Sequence, residues 1–527
     1  MDRRVAALDR HAVAVWGLGA AFVALWLLLD PPSDDLAAAT YRADLFGANG
    51  YLLWDNGWYA GHHVFAYSVL YPPLGALLGP RLLGVLATVA AVVLFERLVE
   101  RAYEGRAWLA TAWFALAAGA NLFAGRVPFA LGLALGLATL LALQRRRGPW
   151  AFLLALATGL ASPVAGLFLA LAALALVLAR ARWRRRKDDE PRQRGAPVTG
   201  QKTSRGVGIA ALVVVAAAVP PAVLSALFPE GGTMPFDLTS YLPCVGVSVL
   251  LAVALPRGER ALRIGAVLYG LIATAAFVFS TPFGGNAARL GMLFAGPALA
   301  AAVLGRPDEA RWRQATVAVV ALPLVFWPLA PVVKQLRAGD DPSTQGAYYR
   351  PLLRFLTRHP APLRVEVVPT RFHWEATFVP KRFPITRGWE RQLDNRYAHL
   401  FYAGRLTPLR YLRWLRNTGT AYVALPVRAR PDYAAVAERR LLRRGVPGLH
   451  EIWRTPTWRV WRVAGPGLGR VTRITRNGFA VRGTARAARV HWTRWWSPES
   501  GGFVREAPGG WTTVRTGREG RIDVRAG

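Results

Sequence analysis

RRRGPWAFLLALATGLASPVAGLFLALAALALVLARARWRRR, residues 145–186, is the stretch that decides the fold class of this chain. Its apolar run over residues 150–180 is longer than the roughly 20 residues that one membrane-spanning helix needs. A Ser-Pro pair at 162–163 interrupts the run, and arginines flank it on both sides. Because basic residues mark the cytoplasmic side of a membrane, arginines at both ends imply an even number of crossings. We therefore predict two short membrane segments, 150–161 and 163–180.

Nine further apolar windows have the length of a membrane-spanning helix. They cover residues 11–29, 74–95, 107–121, 127–143, 207–228, 240–255, 262–280, 288–304 and 312–333. Together with the two short segments they predict eleven transmembrane helices. Loops rich in arginine alternate with loops that have few basic residues, which predicts a cytoplasmic N-terminus and an extracytoplasmic C-terminus. The first window is longer than the apolar part of a usual signal peptide, so we expect an uncleaved anchor.

The composition agrees with a membrane protein and excludes a simple soluble enzyme. Of 527 residues, 53% are hydrophobic and 18% charged, and the mean hydropathy is +0.24. The net charge of +35 does not indicate nucleic-acid binding, because a nucleic-acid-binding chain would be far less apolar, and membrane topology explains the charge of the loops. Topology does not explain the arginine excess after residue 333, for which attraction to an anionic envelope polymer or to anionic lipid is a hypothesis. One cysteine excludes an intrachain disulfide and a cysteine-based metal site. The abundance of Arg, Ala and Gly is typical of a GC-rich bacterial genome, so we expect a multi-pass protein of the bacterial inner (plasma) membrane.

The chain is predicted to have three domains. Residues 1–333 form the transmembrane domain, which includes an outer loop at 30–73 and a basic cytoplasmic linker at 181–206. Residues 334–465 mix helical and strand patterns, as an extracytoplasmic α/β domain does. Residues 466–527 alternate short β-rich runs with glycine turns, which predicts a β-sandwich.

The outer loop holds the side chains that are best suited to chemistry. It contains five carboxylates in a chain that has few, together with many aromatic residues and two histidines. These are Asp30, Asp34, Asp35, Asp44 and Asp55, followed by Trp54, Trp58, Tyr59, His62, His63 and Tyr71. Tryptophan and tyrosine suit a membrane interface and also stack on sugar rings.

The sequence resembles the GT-C superfamily of polytopic glycosyltransferases, which use polyprenyl-phosphate sugars. The resemblance rests on the long outer loop after a first short helix and on the number of crossings. It also rests on Tyr-Pro-Pro-Leu at 71–74 and on the stretches 121–129, 162–166 and 284–290. The last features are similar to a GT-C-like group of bacterial and archaeal membrane proteins related to 6-pyruvoyl-tetrahydropterin synthase.

The resemblance implies an inverting sugar transfer in which an acid of the outer loop is the general base. Asp44 is the first candidate, followed by Asp34 and Asp35 and then by Asp55; each of them also fits a helix cap or a solvated loop charge. Arg126 and Arg289, at outer helix ends, suit the leaving phosphate, although both also fit simple snorkelling to the interface. His62 and His63 are further phosphate candidates.

Several residues are candidates for contacts with the sugar substrates. In the outer loop these are Trp54, Trp58, Tyr59 and Tyr71, and in the α/β domain His373, Glu375 and Trp389. For the α/β group, a structural role in a loop is an equal alternative. The tryptophans between 453 and 511 fit either a sugar-binding face or a sandwich core.

We expect three partners: a polyprenyl-phosphate sugar donor, a cell-envelope glycan, glycolipid or protein acceptor, and the lipid bilayer. Nucleic acid is not expected outside the cell. No metal ligands and no cofactor are predicted, although Mg²⁺ or Mn²⁺ stays open because several GT-C families need a divalent cation. Phosphate-loop, dinucleotide-binding, nucleophile-elbow and zinc-protease motifs are absent from the sequence. The alternative functions are a non-catalytic GT-C-like protein that binds or presents lipid-linked glycans, and a transporter.

Overall fold

The structure is a computed structural model that describes residues 16–17, 19–103, 107–188, 200–304, 310–336, 340–360, 362–465, 467–499, 501–515 and 521–526. Contacts between residues divide the chain into two compact units. The helical unit consists of Met1–Pro31, Tyr67–Leu227 and Thr233–Arg337. The mixed unit consists of Pro32–Ala66, Phe228–Gly232 and Ala338–Gly527. Each unit therefore combines three separate parts of the sequence.

The helices are numbered in chain order through the described residues. They are α1 (Gly19–Leu29), α2 (Asp34–Asn49), α3 (Tyr71–Leu78), α4 (Pro80–Tyr103), α5 (Ala107–Phe123), α6 (Val127–Gln144), α7 (Gly148–Ala161), α8 (Pro163–Asp188), α9 (Gly200–Leu227), α10 (Leu238–Ala254), α11 (Arg260–Val278), α12 (Ala288–Leu299), α13 (Arg311–Phe326), α14 (Ala330–Leu336), α15 (Gly346–Thr357), α16 (Glu375–Phe378), α17 (Arg391–Tyr397), α18 (Pro408–Asn417) and α19 (Val436–Arg444). Only α2 and α15–α19 belong to the mixed unit.

The strands lie in the mixed unit. They are β1 (Trp54–Asp55), β2 (His62–His63), β3 (Val365–Val367), β4 (Tyr422–Pro426), β5 (Leu449–Arg454), β6 (Trp458–Val463), β7 (Val471–Thr475), β8 (Gly478–Arg482), β9 (Ala485–His491), β10 (Trp496–Pro498), β11 (Phe503–Ala507), β12 (Trp511–Arg515) and β13 (Arg521–Ala526).

The apolar helices confirm a helical membrane protein. Within the described residues, 7 helices are long and apolar enough to cross a membrane: those of α4, α6, α8, α9, α11, α12 and α13–α14. Four shorter apolar helices, α1, α5, α7 and α10, account for the remaining windows of the sequence. The number of crossings and the orientation stay predictions. Residues 11–15 and 18 of the first window, and residues 189–199 of the predicted linker, lie outside the described residues.

The break between α7 and α8 lies where the sequence predicts it. Ser162 is extended (φ −156°, ψ 117°), because a residue that precedes proline avoids the helical conformation. Gly159 and Gly166, on either side of the break, pack against the carbonyl oxygen of Ala217 in α9. A Cβ at these glycines would lie 2.8 and 2.7 Å from that oxygen. Small residues thus allow three helices to approach closely.

The first part of the mixed unit is a four-stranded sheet with helices on both faces. The strand order is β3-β4-β6-β5, in which β3 and β4 are parallel and the other pairs antiparallel. Side chains alternate across β4: Tyr422 and Ala424 belong to the hydrophobic core with α15, whereas Val423 and Leu425 belong to the core with α18 and α19. This alternation explains why helices cover both faces.

The second part consists of two sheets that share one core. Their strand orders are β10-β13-β8-β7 and β11-β12-β9. Phe479 and Val481 of one sheet pack in the same hydrophobic cluster as Val490 and Val514 of the other. This arrangement is a sandwich, as the glycine-punctuated strand pattern predicts.

The segment after α1 differs most from the sequence-based domain assignment. Residues 32–66, assigned from the sequence to a loop of the transmembrane domain, fold as part of the mixed unit with all of the chain from Ala338 onward. Trp58 and Tyr59 lie in the core beside Val365, and Trp54 lies in the core of the sandwich. The sequence pattern of residues 32–66 does not show which distant residues they pack against. Their burial in the mixed unit was therefore not predictable from that pattern.

Candidate functional site

The helical unit contains an apolar cavity of about 480 Å³. Lining residues of α6 extend from Phe129 to Gln144, and those of α8 from Ala165 to Arg180. Fifteen residues of α-helix are about 22 Å long, so the cavity follows most of the roughly 30 Å thickness of a bilayer core. Helices α4, α10, α11 and α12 complete its wall. Its length and apolar lining suit an extended hydrocarbon chain.

One end of this cavity lies beside a basic residue that the sequence singles out. Phe129 lines the cavity, and the guanidinium carbon of Arg289 lies 5.2 Å from the centre of its ring. Arg289 is the second residue of α12, and Arg126 immediately precedes α6. Both arginines are half-buried. Tyr71 also belongs to the helical unit, where it is fully buried at the start of α3.

In the mixed unit, residues 54–63 form a buried hairpin in which β1 pairs with β2. Three consecutive residues have left-handed backbone angles: Tyr59 (φ 53°), Ala60 (φ 61°) and Gly61 (φ 116°). Such angles cost free energy for residues other than glycine, and the surrounding structure must supply it. Contacts of Trp58 contribute to this stabilisation: its ring stacks on Tyr41, and its indole N–H donates to the carbonyl oxygen of Ala376.

Asp55 has several polar contacts within the mixed unit. It is fully buried, and its carboxylate accepts hydrogen bonds from the Tyr41 hydroxyl (2.7 Å) and the Gly57 N–H (3.0 Å). The guanidinium of Arg476 lies 3.7 Å away, and Nδ1 of His62 lies 4.0 Å away. These contacts are typical of an acid that holds a buried loop together.

The other three candidate acids lie on α2. Asp34 and Asp35 are half-buried in its first turn, at the positive end of the helix dipole. Asp44 lies on the exposed side of the same helix, and its carboxylate is 2.7 Å from the ammonium of Lys381. Ten residues of helix separate Asp34 from Asp44, which is about 15 Å. The structure therefore does not bring these acids together.

The two histidines of the hairpin have different surroundings. The His62 ring stacks on Trp58. The His63 ring lies between Thr493, whose hydroxyl is 2.9 Å from Nε2, and Glu230, whose carboxylate is 2.7 Å from Nδ1. Trp54 packs edge-on against His63. Both ring nitrogens of His63 therefore lie next to polar side chains of the protein itself.

The second predicted group, His373, Glu375 and Trp389, is brought together. His373 lies between the carboxylates of Glu375 (3.5 Å) and Asp432 (3.6 Å), and Trp389 stacks on its ring at 3.4 Å. Burial alone would lower the pKa of His373, but the two carboxylates raise it to about 10. The imidazole is thus a buried cation at neutral pH. Its backbone has a left-handed φ of 58°.

Two acids of the α/β part, for which the sequence did not predict this role, bind side chains of residues 32–66. Glu390 accepts a hydrogen bond of 2.6 Å from Arg42, 348 positions earlier, and Asp394 accepts from the hydroxyls of Tyr59 (2.9 Å) and Tyr402 (2.8 Å). Burial raises the pKa of both acids. Their only sequence signal was the density of polar and aromatic residues around 387–395.

A third polar group lies nearby in the sequence. The Arg387 guanidinium forms ion pairs with Glu366 and Glu438, all three fully buried. Burial and the neighbouring Glu438 raise the pKa of Glu366, although Arg387 opposes that shift. In the part of the chain that the structure describes, no three His, Cys, Asp or Glu side chains are grouped as metal ligands.

No protein-family model and no curated protein matches the sequence. Among solved structures, the chain is similar to the arabinofuranosyltransferase AftD from mycobacteria, with a TM-score of 0.45 and 17% identity over 85% of this chain and 40% of that chain. A mutant of the same enzyme gives a TM-score of 0.45 and 18% identity over 82% of this chain and 40% of that chain. The chain thus spans about 40% of the length of these structures. A likeness of this strength carries no activity or substrate over to the chain.

Proposed function

We propose that this protein is a GT-C-type membrane glycosyltransferase that transfers a sugar from a polyprenyl-phosphate donor to an extracytoplasmic envelope acceptor. The observation that supports the proposal most is the long apolar cavity with Arg289 beside one end. A polyprenyl phosphate has the matching design, because it joins one charged group to a long linear chain of isoprene units. The finer resemblance to the pterin-synthase-related group rests on short sequence stretches alone.

In this proposal the cavity binds the hydrocarbon chain of the donor. Its volume of about 480 Å³ lies in the range of 300–1,000 Å³ that is usual for ligand pockets. Small residues, among them Gly136, Ala172 and Ala298, leave the space open between larger apolar neighbours. The hydrocarbon chain of the donor would thereby exchange contacts with lipid tails for contacts with Phe168 and Phe294.

The phosphate of the donor is assigned to Arg289, with Arg126 as a second contributor. A guanidinium binds phosphate oxygens through two parallel N–H groups. The guanidinium carbon of Arg289 lies over the Phe129 ring, and this cation–π contact helps to hold the guanidinium at the end of the cavity. The positive charge stabilises the phosphate as it departs.

The general base is assigned to the first turn of α2, Asp34 or Asp35. These are the fifth and sixth residues after Leu29, which ends α1, whereas Asp44 is the fifteenth. Of the four candidate acids, Asp34 and Asp35 thus follow the first helix most closely along the chain, and the GT-C resemblance implies a base soon after that helix. Asp44 stays the competing candidate, with Lys381 as its ion-pair partner. Asp55 is assigned a structural role because its oxygens are occupied within the mixed unit.

The proposed reaction is a single displacement. The carboxylate takes the proton of an acceptor hydroxyl, and the hydroxyl oxygen forms a bond with the anomeric carbon. The bond between that carbon and the phosphate oxygen breaks, and its electron pair leaves with the lipid phosphate. The anomeric configuration is inverted. No step of this scheme requires a redox partner.

A non-catalytic lipid-glycan-binding protein is the second candidate. One observation favours it: the protein itself engages Asp44 through Lys381, and Asp55 through Tyr41 and Gly57. Such a protein would bind the donor without turning it over.

The experiment is sugar transfer by the purified protein in nanodiscs, with labelled polyprenyl-phosphate mannose, arabinose and glucose as donors. We expect turnover of one donor, a loss of at least about a hundredfold in Asp34→Asn or Asp35→Asn, and a smaller loss in Asp44→Asn. If Asp44→Asn alone abolishes turnover, the base assignment is wrong. If every donor binds and none is turned over, the non-catalytic candidate replaces the enzyme.

A further inference from the structure

We propose that the opposite end of the cavity, formed by Tyr103, Gln144 and Arg180, binds the headgroup of an anionic glycerophospholipid such as phosphatidylglycerol. One acyl chain would lie in the adjoining part of the cavity. The proposal uses the same cavity as the proposed function, but its test measures lipid retention and not sugar transfer. Either proposal can therefore fail without the other.

More helices line the cavity toward this end. Residues of α6 and α8 line it along its whole length, whereas α4, α10 and α11 contribute only from the halves that lie near Tyr103. The lining residues of α4 begin at Phe95, and those of α11 end at Tyr269. In this proposal the lining residues of α4, α10 and α11 are the additional apolar contacts of the acyl chain.

Arg180 supplies the charge at this end. One of its N–H groups donates to the carbonyl oxygen of Gly206 at 3.1 Å, and a guanidinium has five such groups. No carboxylate of the described residues forms an ion pair with it. A phosphate diester fits this site, because its oxygens accept charge-assisted hydrogen bonds from the remaining N–H groups.

Gln144 supplies the preference for a headgroup with a hydroxyl. Its amide N–H donates to the carbonyl oxygen of Leu98 at 3.2 Å, which fixes the orientation of the amide. The amide oxygen is buried and accepts no hydrogen bond from the described residues. A buried acceptor without a donor is costly, and a glycerol hydroxyl would satisfy it. The Tyr103 hydroxyl donates to Glu259 at 3.0 Å. Tyr103 is therefore assigned only a ring contact with the lipid.

The test is native mass spectrometry of the full chain released from nanodiscs that contain one of four lipids. These are phosphatidylglycerol, phosphatidylmethanol, phosphatidylcholine and polyprenyl monophosphate, the first three with the same acyl chains. We expect preferential retention of phosphatidylglycerol, and a decrease of about tenfold in Arg180→Gln, as the loss of one charge-assisted contact predicts. Gln144→Leu should abolish the preference over phosphatidylmethanol and retain the preference over phosphatidylcholine.

Arg145→Gln is the matched control, because Arg145 is exposed at the same end of the bundle and does not line the cavity. Equal retention in Arg180→Gln and the unaltered protein would overturn the proposal. So would an equal decrease in Arg180→Gln and Arg145→Gln, which would indicate surface charge alone. Retention of polyprenyl monophosphate only, if it depended on Arg180, would assign this end to the donor lipid and refute the phospholipid.

Discussion

The guanidinium of Arg289 lies over the ring of Phe129, 5.2 Å from its centre, and that ring lines the apolar cavity of the helical unit. In the proposed function, this contact joins the group assigned to the donor phosphate to the space assigned to its hydrocarbon chain. A cation over an aromatic face is held in orientation as well as in position. The contact is therefore the structural basis for placing the charged end of a lipid-linked donor there.

Replacement of Arg289 should weaken donor binding. We expect Arg289→Gln to raise the dissociation constant for the polyprenyl-phosphate sugar by about tenfold or more, since it removes a charge-assisted contact. The dissociation constant of Arg289→Lys should lie between those of the unaltered protein and Arg289→Gln, because an ammonium keeps the charge but loses the planar guanidinium. Equilibrium binding of labelled donor in nanodiscs measures this, with the exposed Arg257→Gln as control. Unchanged donor affinity in Arg289→Gln would refute the assignment of the donor phosphate to this end of the cavity.

A larger side chain in the cavity should displace the hydrocarbon chain. Ala172 lines the cavity from α8, and Leu174, two residues further along, is exposed on the same helix. We expect Ala172→Phe to lower donor affinity by about tenfold or more, because the added ring occupies space that the donor needs. Leu174→Phe should have no effect on the same binding measurement. Equal effects of the two substitutions would show that the cavity is not involved.

Asp55 and Asp44 should differ sharply in their contribution to stability. Asp55 is buried and accepts two hydrogen bonds, so Asp55→Asn should lower the free energy of unfolding by about 2–4 kcal/mol. Asp44 and Lys381 are both exposed, so Asp44→Asn should cost less than about 1 kcal/mol. Denaturant unfolding followed by tryptophan fluorescence compares them. A neutral Asp55→Asn would contradict the structural role assigned to that carboxylate.

His373 should make stability decrease at alkaline pH. Burial opposes its charge, but Asp432 and Glu375 raise its pKa to about 10 in the folded state, against about 6.5 in an unfolded chain. The stabilisation is complete below the unfolded value and is lost as the pH rises through the folded value. We expect the thermal midpoint to fall between pH 7 and 10. The fall should be shallower in His373→Gln, and parallel curves for the two proteins would refute this origin.

Gly61→Ala should destabilise the hairpin. Gly61 has a φ of 116°, and a Cβ there would lie 2.4 Å from the Trp54 ring. Strain and overpacking together should cost about 3 kcal/mol, visible as a lower thermal midpoint. Gly50→Ala is the control, because Gly50 also has a positive φ (69°) but open space around it. Comparable losses would mean that backbone strain alone, without the contact to Trp54, sets the cost.

The sequence was informative wherever one residue type repeats along one element. Apolar runs marked the membrane helices, and the Ser-Pro pair marked the break before α8, because proline constrains the residue that precedes it. These features are local, so no knowledge of distant partners was needed.

The rest depends on contacts between distant parts of the chain. The burial of residues 32–66 depends on distant partners such as Glu390, which binds Arg42 from 348 positions away, and Arg476, which lies beside Asp55. The cavity depends on small residues of different helices that face the same space, such as Gly136 and Ala298. A periodic pattern shows which residues are small, but not which of them face each other. Neither the structural role of Asp55 nor the position of the cavity was therefore predictable.

The most direct test of this account is photo-crosslinking with a polyprenyl-phosphate sugar that carries a diazirine in its isoprenoid chain. After irradiation in nanodiscs, peptide mass spectrometry locates the label. We predict labels on cavity residues of α6, α8 and α12, such as Leu137, Phe168 and Phe294, and competition by unlabelled donor. Labels confined to lipid-facing residues such as Leu174 and Val253, or insensitive to competition, would contradict the claim that the cavity binds the donor.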